Sequence, residues 1–267
     1  MKHLSILIVA ALAATPLYAT PKNLLVVTTT TGFRHSSIPT LEKVLAQLGK
    51  DSGAFTVDYV HQPQGGESME QVLKKLSPES LQKFDGIVFA NTTGQLPIPD
   101  PQGLVDWLKA GHAFIGIHSA SDTFHDWPGF IEMLGGEFAG HGAQVGVECL
   151  NQDPKHPATA HFGKTWKIAL EEIYQFKSYD PAKVHDLLIL DKHPQNQTPG
   201  HFPVSWSKSF GTGKVFYTSL GHREDLIDAD ADLKDRMNPI ETSKAYQQHI
   251  LGGIQWALGL KATPPDR

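Results

Sequence analysis

The order of apolar and polar positions divides the chain into alternating strand-like and helix-like stretches. NLLVVTTTTG, residues 23–32, is an apolar, β-branched run ending in hydroxyls and glycine, the pattern of a buried strand entering a turn. IPTLEKVLAQLGK, residues 38–50, repeats its apolar positions at 38, 41, 44, 45 and 48, the spacing of one helix face, and tolerates Pro39 in its first turn. FTVDYVH alternates as a strand, and SMEQVLKKL and SPESLQKF read as short helical pieces. FDGIVFANTTG (84–94) is a second buried strand, and PDPQGLVDWLKAG (99–111) is a helix closed by Gly111 that feeds directly into HAFIGIH. This β-α-β-α-β alternation predicts an α/β fold, a parallel sheet covered by helices on both faces.

The texture changes after residue 136. Residues 137–180 carry short strand patterns, turns and two prolines, Pro154 and Pro157, and are expected as a β-rich insertion. KVHDLLILD (183–191) and HFPVSWSKSFGTGKVFYTSLGHRED (201–225) return to strands, the second with a hairpin-like Gly211-Thr212-Gly213 turn. AYQQHILGGIQWALG is a closing amphipathic helix. No repeat, low-complexity tract or long linker divides residues 20–267, which are expected as a single domain. Ahead of them, residues 1–19 have a short polar start at Lys2 and His3, an apolar core too short to span a bilayer comfortably, and a small residue, Ala19, before Thr20. That is the pattern of a cleaved signal peptide, so the mature chain is expected in the periplasm or outside the cell, with no membrane association after cleavage.

The formal charge is −5, or −6 once Lys2 is removed, so no basic excess points to nucleic acid or an anionic membrane. The single cysteine, Cys149, cannot form an internal disulfide and sits in an alternating strand pattern, VGVECLN. Fourteen histidines are many for this length, and their positions decide the candidate chemistry.

Ligands of an open parallel sheet bind beyond the carboxyl ends of its strands. Thr31, Arg34 and His35 follow the first proposed strand, and Asn91 and Thr92 the second. His118 and Ser119 follow the third, and His222, Arg223 and Glu224 follow KVFYTSLG. Hydroxyls, imidazoles, an amide and a guanidinium at four strand ends suit a polyhydroxy or carbonyl ligand. The third strand is the most specific. In GHAFIGIHSASDT (111–123), Gly116 and Ala120 flank His118 at the spacing that lets a strand turn sharply into a helix and push the central side chain out. Enzymes with that elbow place a nucleophilic Ser or Cys there, and this chain has histidine.

TTGFRHSSI, GIHSASDT, WPGFIEMLGGEFAGH, EEIYQF and GKVFYTSLGHRED…HILGGIQWALG, in that order, together resemble the trehalose-utilisation (ThuA-like) family. The resemblance implies a class I glutamine amidotransferase-like, flavodoxin-related three-layer fold and a link to trehalose and other sugar metabolism, 3-keto-sugar pathways included. Amidotransferases use an elbow cysteine with a later His-x-Glu pair. Here His222-Arg223-Glu224 keeps the pair's spacing, while Cys149 lies far from the elbow, so a functional glutamine amidotransferase is not expected.

An imidazole at this elbow fits proton transfer, metal ligation with histidines such as His35, His141 or His222, or a hydrogen bond to a sugar hydroxyl. No two of these histidines share a helix face or tight loop, so no metal-ligand set is assigned, although a transition metal remains possible and no other cofactor is expected. A nicotinamide site is not expected either, because GFRHSS after the first strand lacks G-x-G-x-x-G. The expected catalytic groups are His118 as principal proton-transfer residue and His222 with Glu224 as a second pair. The expected substrate-binding groups are Thr31, Arg34, His35, Asn91, Thr92, Ser119, Trp127 and His141, with Trp127 either stacking on a sugar or plugging the core. Glu171 and Glu172 with Tyr174 could supply a carboxylate and a phenol to the pocket, but read by default as an exposed acidic turn followed by a core tyrosine. The partner is expected to be a small carbohydrate, and the reaction acid–base catalysis on a sugar or keto-sugar glycoside. A non-catalytic sugar-binding protein and a metal-dependent hydrolase are the alternatives.

Overall fold

The computed structural model describes residues 20–261, so the expected signal segment lies outside the described residues. Five strands form the parallel part of a nine-stranded sheet: β1 (Lys22–Val27), β2 (Phe55–Val60), β3 (Gly86–Ala90), β4 (Ala113–Ile117) and β11 (Gly213–Thr218). Their spatial order is β2-β1-β3-β4-β11, which in chain order of these five is 2-1-3-4-5, the flavodoxin-like arrangement. Both faces are covered, which explains the near-continuous apolar runs of the central strands. In β1, Leu24 and Val26 enter one core and Leu25 and Val27 the other. In β3, Val88 and Ala90 divide from Ile87 and Phe89 in the same way.

Helix α1 (Ile38–Ser52) packs Leu41, Val44 and Leu45 on the first face, beside the closing helix α7 (Ile240–Ala257) with Tyr246, Ile250 and Ile254. The short helices α2 (Met69–Leu73) and α3 (Pro78–Leu81) lead to α4 (Pro101–Lys109), whose Leu104, Val105 and Leu108 pack on the second face. There they join Phe130, Met133 and Leu134 of α5 (Pro128–Leu134).

Residues 137–180 do not form one separate layer. Strands β6 (Val145–Asn151) and β7 (Thr165–Glu171) extend the main sheet through β9 (His185–Lys192) and β10 (Pro199–Phe210), all in antiparallel pairing. Strands β5 (Glu137–His141) and β8 (Tyr174–Lys177) instead pair with each other as a two-stranded ribbon, with His141 opposite Tyr174. No described helix is long and apolar enough to cross a membrane.

One ion-paired histidine ties the ribbon to the chain after the β4 elbow. His125 Nε2 lies 2.7 Å from Asp122 Oδ1 and its Nδ1 2.7 Å from Glu137 Oε1, with Lys177 Nζ 3.0 Å from the same Glu137 oxygen. Burial alone would lower the histidine, but hydrogen bonds to Asp122 and Glu137 outweigh it and raise its pKa above the ordinary 6.5. A proton bound more tightly in the folded chain stabilises it fully below the unfolded value, and the gain fades as pH rises through the raised folded value. Thermal unfolding of His125→Gln should therefore show a clear deficit near about pH 6 that shrinks toward about pH 9. An equal deficit at both would exclude the imidazolium as its source.

Candidate functional site

Where β4 ends, the chain turns through a short 3₁₀ segment, His118–Asp122. A Cβ at Gly116 would come within 2.8 Å of the Tyr217 ring, and within 3.4 Å of Ala120, so both small residues are needed for the turn. His118 takes φ +49°, the left-handed region, which costs a non-glycine residue about 1–2 kcal/mol. Hydrogen bonds hold it there. Tyr217 donates its hydroxyl to the His118 carbonyl at 2.7 Å, and Ser121 Oγ lies 2.8 Å from the same hydroxyl.

The imidazole is fully buried, and its Nδ1 lies 2.6 Å from the carbonyl oxygen of Ser219 in the loop after β11. A carbonyl only accepts, so Nδ1 carries the proton and Nε2 presents a lone pair on the opposite side. Nε2 faces the Tyr174 hydroxyl at 3.0 Å and Glu172 Oε2 at 3.6 Å, and the hydroxyl donates to it.

Three other connections converge on the same point. His35, from the loop after β1, has its ring centroid 4.8 Å from that of His118 and 5.3 Å from that of His222. His222, after β11, lies 5.4 Å from His118, and the three rings meet at 74° to 89°. Glu172, in the turn between β7 and β8, reaches His222 Nδ1 at 3.3 Å with Oε2 and His141 Nδ1 at 3.1 Å with Oε1. One ligand-type atom from each of His35, His118, Glu172 and His222 lies within 4.8 Å of the others.

The charges sort accordingly. Burial and the neighbouring imidazoles of His118 and His222 hold His35 down at about 3, so it is neutral. Burial also lowers His118, against the pull of Glu172. Burial pushes Glu172 upward, but the facing imidazoles of His118 and His222 outweigh it and hold its carboxyl well below the ordinary range. His222 is likewise lowered by burial and raised more by Glu172, so it is the most readily protonated imidazole of the set. The site thus places an electron-pair donor, a proton-holding imidazole, a carboxylate and a phenol around one point.

Of the expected residues, His118, His222, His35 and His141 are brought together. Ser119 stands behind them, its Oγ 3.4 Å from His35 Nδ1. The others turn away. Glu224 accepts from Ser36 Oγ at 2.6 Å, in the first turn of α6 (Glu224–Ile227), and the carboxylate paired with His222 is Glu172. Arg34 donates Nη1 to the Thr28 carbonyl at 2.8 Å, and Thr31 Oγ1 donates to the Gln95 carbonyl at 3.1 Å. Thr92 Oγ1 pairs with Thr123 Oγ1 at 2.8 Å. Asn91, at φ +53°, donates Nδ2 to Ser37 Oγ at 3.0 Å and to the Gly221 carbonyl at 3.1 Å. Trp127 packs edge-on to Phe124, with ring centroids 5.1 Å apart, and serves the core.

The expected exposed acidic turn at 171–174 is not one. Glu171 is fully buried, accepts from the backbone N–H groups of His222 at 2.9 Å and Arg223 at 3.3 Å, and is pushed up to about 7 by burial. Glu172 and Tyr174 stand in the site, the placement that the sequence reading set second to an exposed turn. The available signal was two carboxylates at the end of an apolar alternation, where a solvated turn has no need of the buried residues on either side.

A family model described as ThuA, trehalose utilisation, matches residues 23–257. The chain belongs to the ThuA family. Among solved structures, the ThuA fold here is similar to a ThuA-like protein of Parabacteroides merdae, with TM-score 0.70 and 21% identity over 92% of this chain and 94% of that one. A ThuA-like protein of Bacteroides uniformis gives TM-score 0.64 and 19% identity over 92% and 95%. A β-galactosidase of Bacillus circulans gives TM-score 0.53 and 10% identity over 92% of this chain and 32% of that one. None of the curated proteins matches the sequence.

Asn91 separates a positioning role from a ligand-binding one. Loss of its two buried hydrogen bonds, at about 1 kcal/mol each, and about 1 kcal/mol for alanine in the left-handed region, sets the cost of Asn91→Ala. Chemical denaturation should show a loss of about 2–3 kcal/mol. Unchanged stability would return Asn91 to the substrate-binding set.

Proposed function

We propose that this ThuA-family protein is a periplasmic or secreted enzyme of carbohydrate metabolism, acting by proton transfer on a sugar or keto-sugar glycoside. The observation that carries the reading is the elbow: a buried histidine, locked in one tautomer, aims its Nε2 lone pair beside a phenol and an imidazolium–carboxylate pair. Groups of opposite protonation preference held a few ångströms apart are what acid–base chemistry needs. His118 Nε2 accepts the proton, the Tyr174 hydroxyl relays or returns it, and His222, charged against Glu172, steadies negative charge developing on a sugar oxygen. His141, half-exposed and tied to Glu172, stands on the approach from solvent. Carbohydrate as the substrate class is supported by the family's description, trehalose utilisation.

A thioester route has no support here. Cys149 is buried in β6, with its thiol pushed up to about 12, away from the elbow. The export of the chain is supported by the residue pattern of positions 1–19.

Incubation of the purified protein with trehalose, other glycosides and their 3-keto forms, followed by mass spectrometry, tests the reading. A product should form, and His118→Ala should lower kcat/KM by at least about 100-fold. Saturable sugar binding with no product would make the protein a binding module instead. N-terminal sequencing of the exported chain should begin at Thr20, and retention of the first nineteen residues in the cytoplasm would overturn the assigned location.

A further inference from the structure

The cluster holds more ligand capacity than proton transfer uses. Three imidazoles and one carboxylate come from four separate connections, after β1, β4 and β11 and between β7 and β8, with their donor atoms within 4.8 Å of one another. A proton relay would link these rings by hydrogen bonds, yet no hydrogen bond joins two of these three imidazoles among the described residues. His222 Nδ1 is buried without a hydrogen bond, although it lies 3.3 Å from Glu172 Oε2. Burying a polar nitrogen with no partner is destabilising, so an atom that satisfies it is to be looked for.

The surroundings are those of a metal centre. His118 donates Nδ1–H to the Ser219 carbonyl, which fixes the tautomer and turns Nε2 inward, as the outer-sphere bonds of ligating histidines do. Glu172 keeps Oε1 on His141, which orients the carboxylate while Oε2 faces the histidines. The near-perpendicular rings approach the centre from separate directions, unlike a stacked set. Nitrogen-rich donors with one carboxylate oxygen suit zinc and its first-row neighbours, whereas calcium and magnesium prefer oxygen-only shells. Bonds of about 2.1 Å put tetrahedral donors roughly 3.4 Å apart, so donors up to 4.8 Å apart must close by as much as about 1.4 Å around an ion.

We propose that His35, His118, His222 and Glu172 bind one divalent first-row transition-metal ion of the zinc class. The ion's role in turnover rests on the function proposed above, whereas its binding does not. On binding, the proton that His222 holds against Glu172 would leave to solvent, and the lone pairs of His35, His118 and His222 would go to the metal, which would polarise a sugar oxygen as a Lewis acid. Proton movement then passes to Tyr174 and His141, which the ion leaves free.

The full chain, stripped with chelator and dialysed, is titrated with zinc alone, by calorimetry and by elemental analysis after desalting. One equivalent should bind and raise the thermal midpoint. His35→Ala and Glu172→Gln should each weaken binding by at least about 100-fold, beyond the 10–100-fold loss typical of an outer-sphere partner. His185→Gln, whose ring pairs with Asp153 outside the cluster, should leave the affinity unchanged. Cobalt substitution should give visible absorption that disappears in both cluster variants. Failure of the unmodified chain to retain an equivalent overturns the site, whatever the variants do, and so does unchanged affinity in folded His35→Ala and Glu172→Gln. Chelated protein that still turns over sugar through His118 overturns the ion's role in turnover and leaves the acid–base reading standing. Stoichiometric zinc with no sugar turnover does the reverse.

Discussion

The bond from His118 Nδ1 to the Ser219 carbonyl is the constraint on which the site depends. It joins the ends of two neighbouring parallel strands, β4 and β11, and settles in one contact where the imidazole points and which nitrogen is bare. The same β11 loop then delivers His222, so a shift of that loop would move two members of the cluster together. The loop is held from several sides. Tyr246 donates to the Leu220 carbonyl at 3.0 Å, Ser37 and Asn91 both donate to the Gly221 carbonyl, and Glu171 accepts from the N–H of His222. Gly221 is required at this point: its φ is +125°, and a Cβ would sit 2.7 Å from the Tyr246 hydroxyl.

Much of this buried polar density is spent on neighbours, although Thr29 Oγ1, Asn91 Oδ1, Thr218 Oγ1, Ser219 Oγ and His222 Nδ1 are buried without a hydrogen bond. Thr92, Ser121, Tyr217, Asn91 and Ser37 form a hydrogen-bonded layer across the ends of β3, β4 and β11. That layer rests on two apolar cores, one on each face of the sheet, which limit its movement. Asn91 and Thr92, which look like ligand-binding groups from sequence, are spent in this layer, and the layer supports the loops that carry the imidazoles. The β5–β8 ribbon adds Tyr174 from above, against His118 and Phe138, with ring centroids 4.3 Å from each.

This division explains what the sequence could reveal. Periodicity reports burial, so α1 was legible from its 38, 41, 44, 45 spacing, and β1 and β3 from apolar runs that serve both cores. The elbow was legible because Gly116 and Ala120 mark a local steric requirement. Long-range pairing leaves no such local trace. Glu224 has the right spacing from His222 but turns to Ser36, while Glu172, fifty residues upstream of His222, supplies the carboxylate. Thr31, Arg34 and Asn91 stand at strand ends as expected, yet a strand end has both a ligand side and a backbone side. Which one a polar side chain serves depends on carbonyls such as Thr28 and Gly221 that no motif names.

A histidine at a nucleophile's position becomes intelligible in these terms. The elbow's service is geometric: it brings one side-chain atom to the strand ends in a direction fixed by the backbone, at the cost of a left-handed residue. A serine or cysteine placed there needs a neighbouring base before it can react. Histidine brings two nitrogens, and here one is consumed by Ser219 so that the other is bare without outside help. Burial then disfavours its protonated form, while the carboxylate of Glu172 favours protonation of His222, so the first imidazole keeps its lone pair more readily than the second. The elbow therefore still presents one unprotonated atom at the strand ends, with the backbone carbonyl of β11's loop fixing the tautomer that leaves it so.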